Sequence, residues 1–147
     1  MDGGKKRLIN KLVHSCMIGG EKTKSRATVS KTFSRLSQTT PDVITLLAHA
    51  IENVKPTREV EKVRIAGTTH NVPKILAKKR QETLAFRWIV EAAVKRRIMS
   101  QRNESFDQCL SAEIPEASQK RGSTRKRRDD LHKLAEANRS FAHYRWW

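Results

Sequence analysis

The stretch Thr57-Arg58-Glu59-Val60-Glu61-Lys62-Val63-Arg64-Ile65-Ala66-Gly67-Thr68-Thr69-His70-Asn71-Val72-Pro73-Lys74-Ile75-Leu76 decides the fold class, because the period of the chain changes there. Its halves, 57–65 and 68–76, are rich in Val, Ile and Thr, whose branched side chains suit a pleated strand. Ala66-Gly67 between them supplies a two-residue turn, so the pair is predicted to form a β-hairpin. Pro73 has no N–H for a ladder and is confined to an edge strand. In a lone two-stranded ribbon both strands are edges, and Pro73 fits. A hairpin of such mixed charge need not lie flat on a core and can project from it.

On either side the period is helical. Leu8, Ile9, Leu12, Val13, Cys16 and Met17 recur at helix spacing, and Gly19-Gly20 supplies the stop. A more polar helix is expected over 23–37, with Val29, Phe33 and Leu36 inward. Thr40-Pro41-Asp42 reads as a helix start, followed by the stripe Val43, Leu47, Ile51 and Val54. Lys55-Pro56 ends it, since the residue before proline is pushed out of the helical region. Beyond the hairpin, a helix is predicted over 80–97 with Leu84, Trp88, Ala92 and Ala93 on its apolar face, then a loop over 98–105. A short helix over 106–118 has Pro115 as its kink or early stop. A basic loop around Gly122 leads into a last helix over 125–143, with Asp129-Asp130 as negative charge at its start. The expected fold is mainly α: a single helical-bundle domain over 1–147 with a protruding two-stranded β-hairpin ribbon at about 57–76 and a basic C-terminal helix at about 125–143.

The 147 residues hold 31 Lys and Arg against 15 Asp and Glu, a net charge of +16, which points to a polyanionic partner. No apolar run approaches the ~18 residues of a bilayer span, so no membrane role is expected. Met1-Asp2-Gly3-Gly4-Lys5-Lys6-Arg7 has no apolar signal core. Cys16 and Cys109 match no metal or redox spacing and sit on predicted apolar faces. His14, His49, His70, His132 and His143 include no pair at the spacing of a zinc-binding helix. No glycine-rich loop follows a strand, and Glu91 and Glu113 have no evident acidic partners. No enzyme, metal or cofactor is expected.

The positive charge falls in clusters: Lys5-Lys6-Arg7, Lys78-Lys79-Arg80, Lys95-Arg96-Arg97, Lys120-Arg121 and Arg125-Lys126-Arg127-Arg128. Each borders an apolar-periodic segment, which suggests helix ends and loops collecting on one surface. In Ser140-Phe141-Ala142-His143-Tyr144-Arg145-Trp146-Trp147, His143, Tyr144 and Arg145 can reach phosphates, and aromatic faces can stack on unpaired bases. Phe141 and Trp146 serve equally well to lock the chain end to the core, and Trp88 reads as core. Charge alone does not separate RNA from DNA. A helical DNA-binding regulator is the alternative; it calls for a dimer and a recognition helix, and no predicted helix pair has that short-turn signature. An RNA-processing enzyme would need a converging acid–base or metal set.

Several stretches resemble the universal small-subunit ribosomal protein seven family, in its bacterial and organellar form. They are Glu52-Asn53-Val54-Lys55-Pro56, Gly67-Thr68, Val72-Pro73, Leu84-Ala85-Phe86-Arg87-Trp88-Ile89-Val90-Glu91-Ala92-Ala93 and Ala135-Glu136-Ala137-Asn138-Arg139-Ser140-Phe141-Ala142-His143-Tyr144-Arg145-Trp146, in the family's order from about Gly4 onward. The resemblance implies a helical domain with a β-ribbon that binds the 3′ major domain of small-subunit ribosomal RNA and nucleates assembly of the subunit head as a monomer. It implies a ribbon tip (Ile65, Ala66, Gly67, Thr68, Thr69) near exit-site transfer RNA and the messenger RNA exit path, beside ribosomal protein eleven and other head proteins. RNA-facing residues would be Lys5, Lys6, Arg7, ribbon Lys62, Arg64 and Lys74, then Lys78, Lys79, Arg80, Lys95, Arg96, Arg97 and the basic loop before the last helix. The sequence departs from the family pattern in lacking most of a basic N-terminal arm. Val63, Ala66 and His70 stand where Arg, Gly and an aromatic are common, and 97–105 is longer than usual. That loop, the Ser/Thr-rich second helix and Trp146-Trp147 look most like plant mitochondrial members, with bacterial cytoplasm or plastid as alternatives. A protein made inside the organelle needs no transit peptide, in keeping with the expected start.

Overall fold

The computed structural model describes residues 3–101 and 103–144. In chain order they form α1 (Gly3–Cys16), α2 (Lys22–Ser37), α3 (Val43–Val54), β1 (Arg58–Ile65), β2 (Thr68–Ile75), α4 (Lys78–Met99), α5 (Phe106–Ser118), α6 (Ser123–Ala137) and a 3₁₀ segment, Arg139–Tyr144. The mainly α fold with one antiparallel hairpin is as the periodicity predicts. No helix among the described residues is long and apolar enough to cross a membrane.

The core is built on α3 and α5. Asp42 caps α3 by accepting from Thr45 N–H at 3.2 Å and from its hydroxyl at 2.5 Å. From α3, Leu47, Ala50, Ile51 and Val54 go inward; α5 meets them with Cys109, Leu110, Ile114 and Ala117, all fully buried. Phe86 and Ile89 of α4 close the same core. α5 opens with a capping box, Ser105 N–H donating to Gln108 Oε1 at 3.0 Å.

Four expected boundaries need correction. First, α4 starts at Lys78, not 80, and runs to Met99, so the Lys78-Lys79-Arg80 cluster is its first turn and the following loop is shorter than 98–105. Second, α5 spans Phe106–Ser118 as expected, and only the early stop at Pro115 is set aside. Ile114 and Ala117 anchor the helix in the core on both sides of the proline, and Asn53 Nδ2 donates to the terminal carbonyls of Ala117 (3.2 Å) and Ser118 (2.9 Å). Third, the last helix runs over 123–137, not 125–143. Asn138 folds back onto Leu134 O at 2.8 Å, a side-chain bond that competes with helix continuation, and a 3₁₀ segment follows. Fourth, Asp129 and Asp130 therefore lie in the second turn of α6, where Asp129 pairs with Arg125 at 3.5 Å and Arg128 at 3.0 Å.

The ribbon has two unlike faces, because successive side chains alternate and Val63 pairs with His70. Val63 and Val72 are buried on the inner face, against α6 and the 3₁₀ segment. Tip residues 66–69 stand exposed. Ala66 and Gly67 have φ of 51° and 80°, the left-handed pair a two-residue turn of matching twist requires. Ala66 is strained there, at a cost of about 1 kcal/mol. Ala66→Gly is expected to slow amide hydrogen exchange at Ile65 and Thr68; faster or unchanged exchange would remove the strain assignment.

Candidate nucleic-acid interface

The end of α3 leaves backbone carbonyls without helical partners, and one face of α6 satisfies them. Arg125 donates to Asn53 O at 2.6 Å and Arg128 to Lys55 O at 3.1 Å. One turn on, His132 Nε2 accepts from Thr57 N–H at 3.0 Å, and after another turn Glu136 pairs with Arg58 at 3.4 Å. This row at helix spacing clasps the extended linker from which the ribbon leaves. Two members of the Arg125-Lys126-Arg127-Arg128 cluster are therefore held by the protein's own backbone. Arg127 pairs with Glu91 at 2.6 Å and lies 4.9 Å over the Trp88 ring. Lys126 alone of the four is exposed without a partner.

The same division runs through the other clusters. Arg96 sits between Glu113 (2.9 Å) and Glu116 (2.8 Å), in a partly buried ion cluster joining α4 to α5. Burial pushes the Glu113 carboxyl above its usual range against the pull of Arg96. The Arg96 guanidinium is opposed by burial yet held above its usual range by Glu116 and Glu113. Gly122 has φ of 90°, which requires glycine, and a Cβ there would also stand 3.0 Å from Glu116 Oε2. Arg7 pairs with Glu82 at 2.9 Å, and Lys11 binds the same carboxylate. Burial raises the Glu82 pKa, but the Lys11 hydrogen bond and the charges of Lys11 and Arg7 bring it below its usual value. Lys74 pairs with Glu61 at 3.0 Å and Arg80 with Glu59 at 3.6 Å. Arg121 is hydrogen-bonded to Gln119.

The expected site residues left exposed and without partners are Lys5, Lys6, Lys62, Arg64, Lys78, Lys79, Lys95, Arg97, Lys120 and Lys126. Lys62 and Arg64 share the outer ribbon face with Thr69, Asn71 and Pro73; both ribbon glutamates are on the other face, so the outer one carries no acid. Lys78 and Lys79 occupy the positive end of the α4 dipole, where a cation gains nothing from its own helix. Between α4 and α6 a groove of about 450 Å³ brings Lys95 together with Lys126 and Arg127, which are distant in sequence. A second groove, of about 380 Å³ between α1 and α3, joins Lys5 and Arg7 to His49.

His143 and Tyr144 are engaged near the ribbon: the Tyr144 ring lies 5.0 Å from His70, 5.7 Å from Phe141 and 4.2 Å from His143. Phe141 packs on His70 as well, at 5.0 Å, so the 3₁₀ segment locks onto β2. His70 thus packs between Phe141 and Tyr144. Arg145, Trp146 and Trp147 lie outside the described residues. Cys109 is fully buried, and burial pushes the Cys16 thiol up to about 12. Sequence reasoning missed the exposed Lys22, Arg26 and Lys31 of α2. Their signal was legible, since α2 has no acidic residue along its 16 positions.

A profile of the family described as ribosomal protein S7p/S5e matches residues 4–139. Over 147 residues, all of this chain, the sequence is 66% identical to small ribosomal subunit protein uS7m of Marchantia polymorpha and spans 63% of that protein's length. Again over its whole length, it is 54% identical to the uS7m of Arabidopsis thaliana, covering 98% of that protein. To small ribosomal subunit protein uS7 of Magnetococcus marinus it is 39% identical over 95% of this chain and 87% of the relative.

The clasp makes stability depend on pH through His132. Burial first, and then the charge of Arg128, hold its pKa below the usual 6.5, and only the neutral ring accepts Thr57 N–H. The unfolded chain therefore binds this proton more tightly. The contribution is complete above pH 6.5 and is lost as pH falls toward the folded-state value. His132→Gln, whose amide oxygen accepts at any pH, is expected to lose less Tm than the parent on going from about pH 7.5 to 5.5. Equal losses would exclude His132 as the titrating clasp.

Proposed function

This chain belongs to the ribosomal protein S7p/S5e family, and from that premise we propose that it captures the 3′ major domain of small-subunit ribosomal RNA and nucleates assembly of the subunit head. It is a structural constituent of the small ribosomal subunit, not an enzyme, and it belongs to the mitochondrial ribosome. Identities of 66% and 54% to plant mitochondrial relatives against 39% to a bacterial one favour that organelle over the bacterial cytoplasm. The DNA-binding regulator has no support in this membership.

One observation carries the RNA reading: after internal pairing, the remaining free cations are distributed over several surfaces, the acid-free outer face of the ribbon foremost. A groove-reading helix would concentrate its charge on one element. Cations spread over a ribbon, a helix start and an interhelical groove suit folded RNA, which is recognised by shape and phosphate at several places at once. Each phosphate neutralised releases a counterion, which drives binding and makes it salt-dependent. The tip, Ile65 to Thr69, exposed over residues 66–69, fits a place near exit-site transfer RNA and the messenger RNA exit path. Ribosomal protein eleven would lie beside it, with the chain itself a monomer in the subunit.

Filter binding to 3′ major domain RNA and an equal-length control RNA across a salt series tests the reading. Preference for the domain that survives rising salt is expected; equal affinities would defeat the proposal. Lys62→Ala with Arg64→Ala should reduce the salt slope by about 2, and Lys126→Ala by about 1. Lys74→Ala should leave it unchanged, because Lys74 is neutralised by Glu61. Arg128→Ala should lower Tm more than it lowers the slope, since its guanidinium binds Lys55 O. A reversed order between Lys62 and Lys74 would overturn the division into inward and outward charges.

A further inference from the structure

The α1–α2 turn, the last turns of α4 and the start of α5 enclose a groove of about 560 Å³ walled by Cys16, Ile18, Val90, Val94, Ile98 and Phe106. Ile18 is 83% exposed, Ile98 78%, the neighbouring Met99 72% and Val94 42%. Four of the six exposed large apolar side chains among the described residues thus collect at one place. Such a concentration marks a binding surface, since scattered apolar exposure needs no explanation but a contiguous patch does. The ribosomal RNA reading draws only Arg97 from the rim and leaves the apolar walls unused, because a sugar–phosphate backbone gains little from desolvating aliphatic side chains.

The rim is positive. Lys24 and Arg97 line it, Lys22 and Arg26 extend it along α2, and its one carboxylate, Glu21, is paired with Lys24 at 3.0 Å. A second copy docked here would bring these cations against their own equivalents. We propose that the groove seats an amphipathic helical segment of a neighbouring subunit protein, its apolar face against Ile18, Val94 and Ile98 and its flanking Asp and Glu on Arg97 and the unpaired Lys22 and Arg26. This is helix-in-groove recognition, with affinity from the walls and register from the rim. The inference rests on the ribosomal reading, since only an assembly supplies such a neighbour.

The test uses small subunits assembled with the full chain carrying photoreactive benzoylphenylalanine in place of Val94 or Ile98. The same label at Lys62 serves as a ribbon control. Irradiation is expected to link positions 94 and 98 to one protein segment with apolar residues at helical spacing and acidic flanks. Ile98→Asp, and separately Ile18→Asp in the exposed turn, should reduce incorporation of that protein roughly tenfold or more while affinity for 3′ major domain RNA is retained. Cross-linking to RNA, to a second copy or to a basic segment would overturn the inference. So would assembled subunits giving no cross-link, or normal partner incorporation in both variants. If the unlabelled chain shows no preference for the domain RNA, the ribosomal reading itself fails, and that is a separate result.

Discussion

The position of the ribbon depends on one row of contacts, the clasp of α6 on the chain leaving α3. Arg125, Arg128 and His132 take up the Asn53 and Lys55 carbonyls and the Thr57 N–H, at distances from 2.6 to 3.1 Å. The two arginine bonds are charge-assisted and reach partly buried carbonyls, the kind that is expensive to leave unmade, and the exposed His132 bond adds direction. Pro56 is buried within this linker and fixes its path further. Without the clasp, a two-stranded ribbon has little to hold its direction, since an isolated hairpin is marginal in water. With it, the inner valines Val63 and Val72 reach α6, and the outer face is left to solvent.

The same row changes how the charge of +16 is understood. A cluster in the sequence is not a cluster on the surface. Of Arg125-Lys126-Arg127-Arg128, two side chains serve the backbone, one covers Trp88, and only Lys126 projects free. Arg96 is likewise held by Glu113 and Glu116, while Arg97, next to it in sequence, is exposed. The arginines tend to be the internal members and the lysines the free ones. That accords with a planar guanidinium suiting fixed carbonyl and carboxylate partners, and a strongly hydrated ammonium suiting solvent and phosphate.

Much of the fold was legible because its determinants are local. Asp42, the stripe from Val43 to Val54 and Lys55-Pro56 mark both ends of α3 and its buried face within one short stretch. The hairpin register follows from a two-residue turn. What was not legible depends on partners far away in sequence. Pro115 reads as a kink or early stop until Asn53 is seen holding the carbonyls beyond it. The last helix reads as longer until Phe141 and Tyr144 are seen turned toward His70. The site divides in the same way. Its basic residues are visible in the sequence, but which of them remain free is decided by Glu82, Glu113 and Glu116 across helix interfaces. Val63 reads as one more strand valine in the sequence, and its burial is decided by α6, which lies far along the chain.

The clasp and the aromatic lock share a feature of timing. Residues 53–75 supply one side of both contacts and residues 125–144 supply the other. During synthesis the first set emerges well before the second. The two strands can pair as soon as they are free, but their orientation on the domain waits for α6 and the 3₁₀ segment. A growing chain therefore exposes Lys62 and Arg64 on an arm that is not yet aimed. Only after α6 arrives does the arm hold one direction relative to Lys78 and Lys126. The order of translation thus separates the forming of the ribbon from the fixing of its direction.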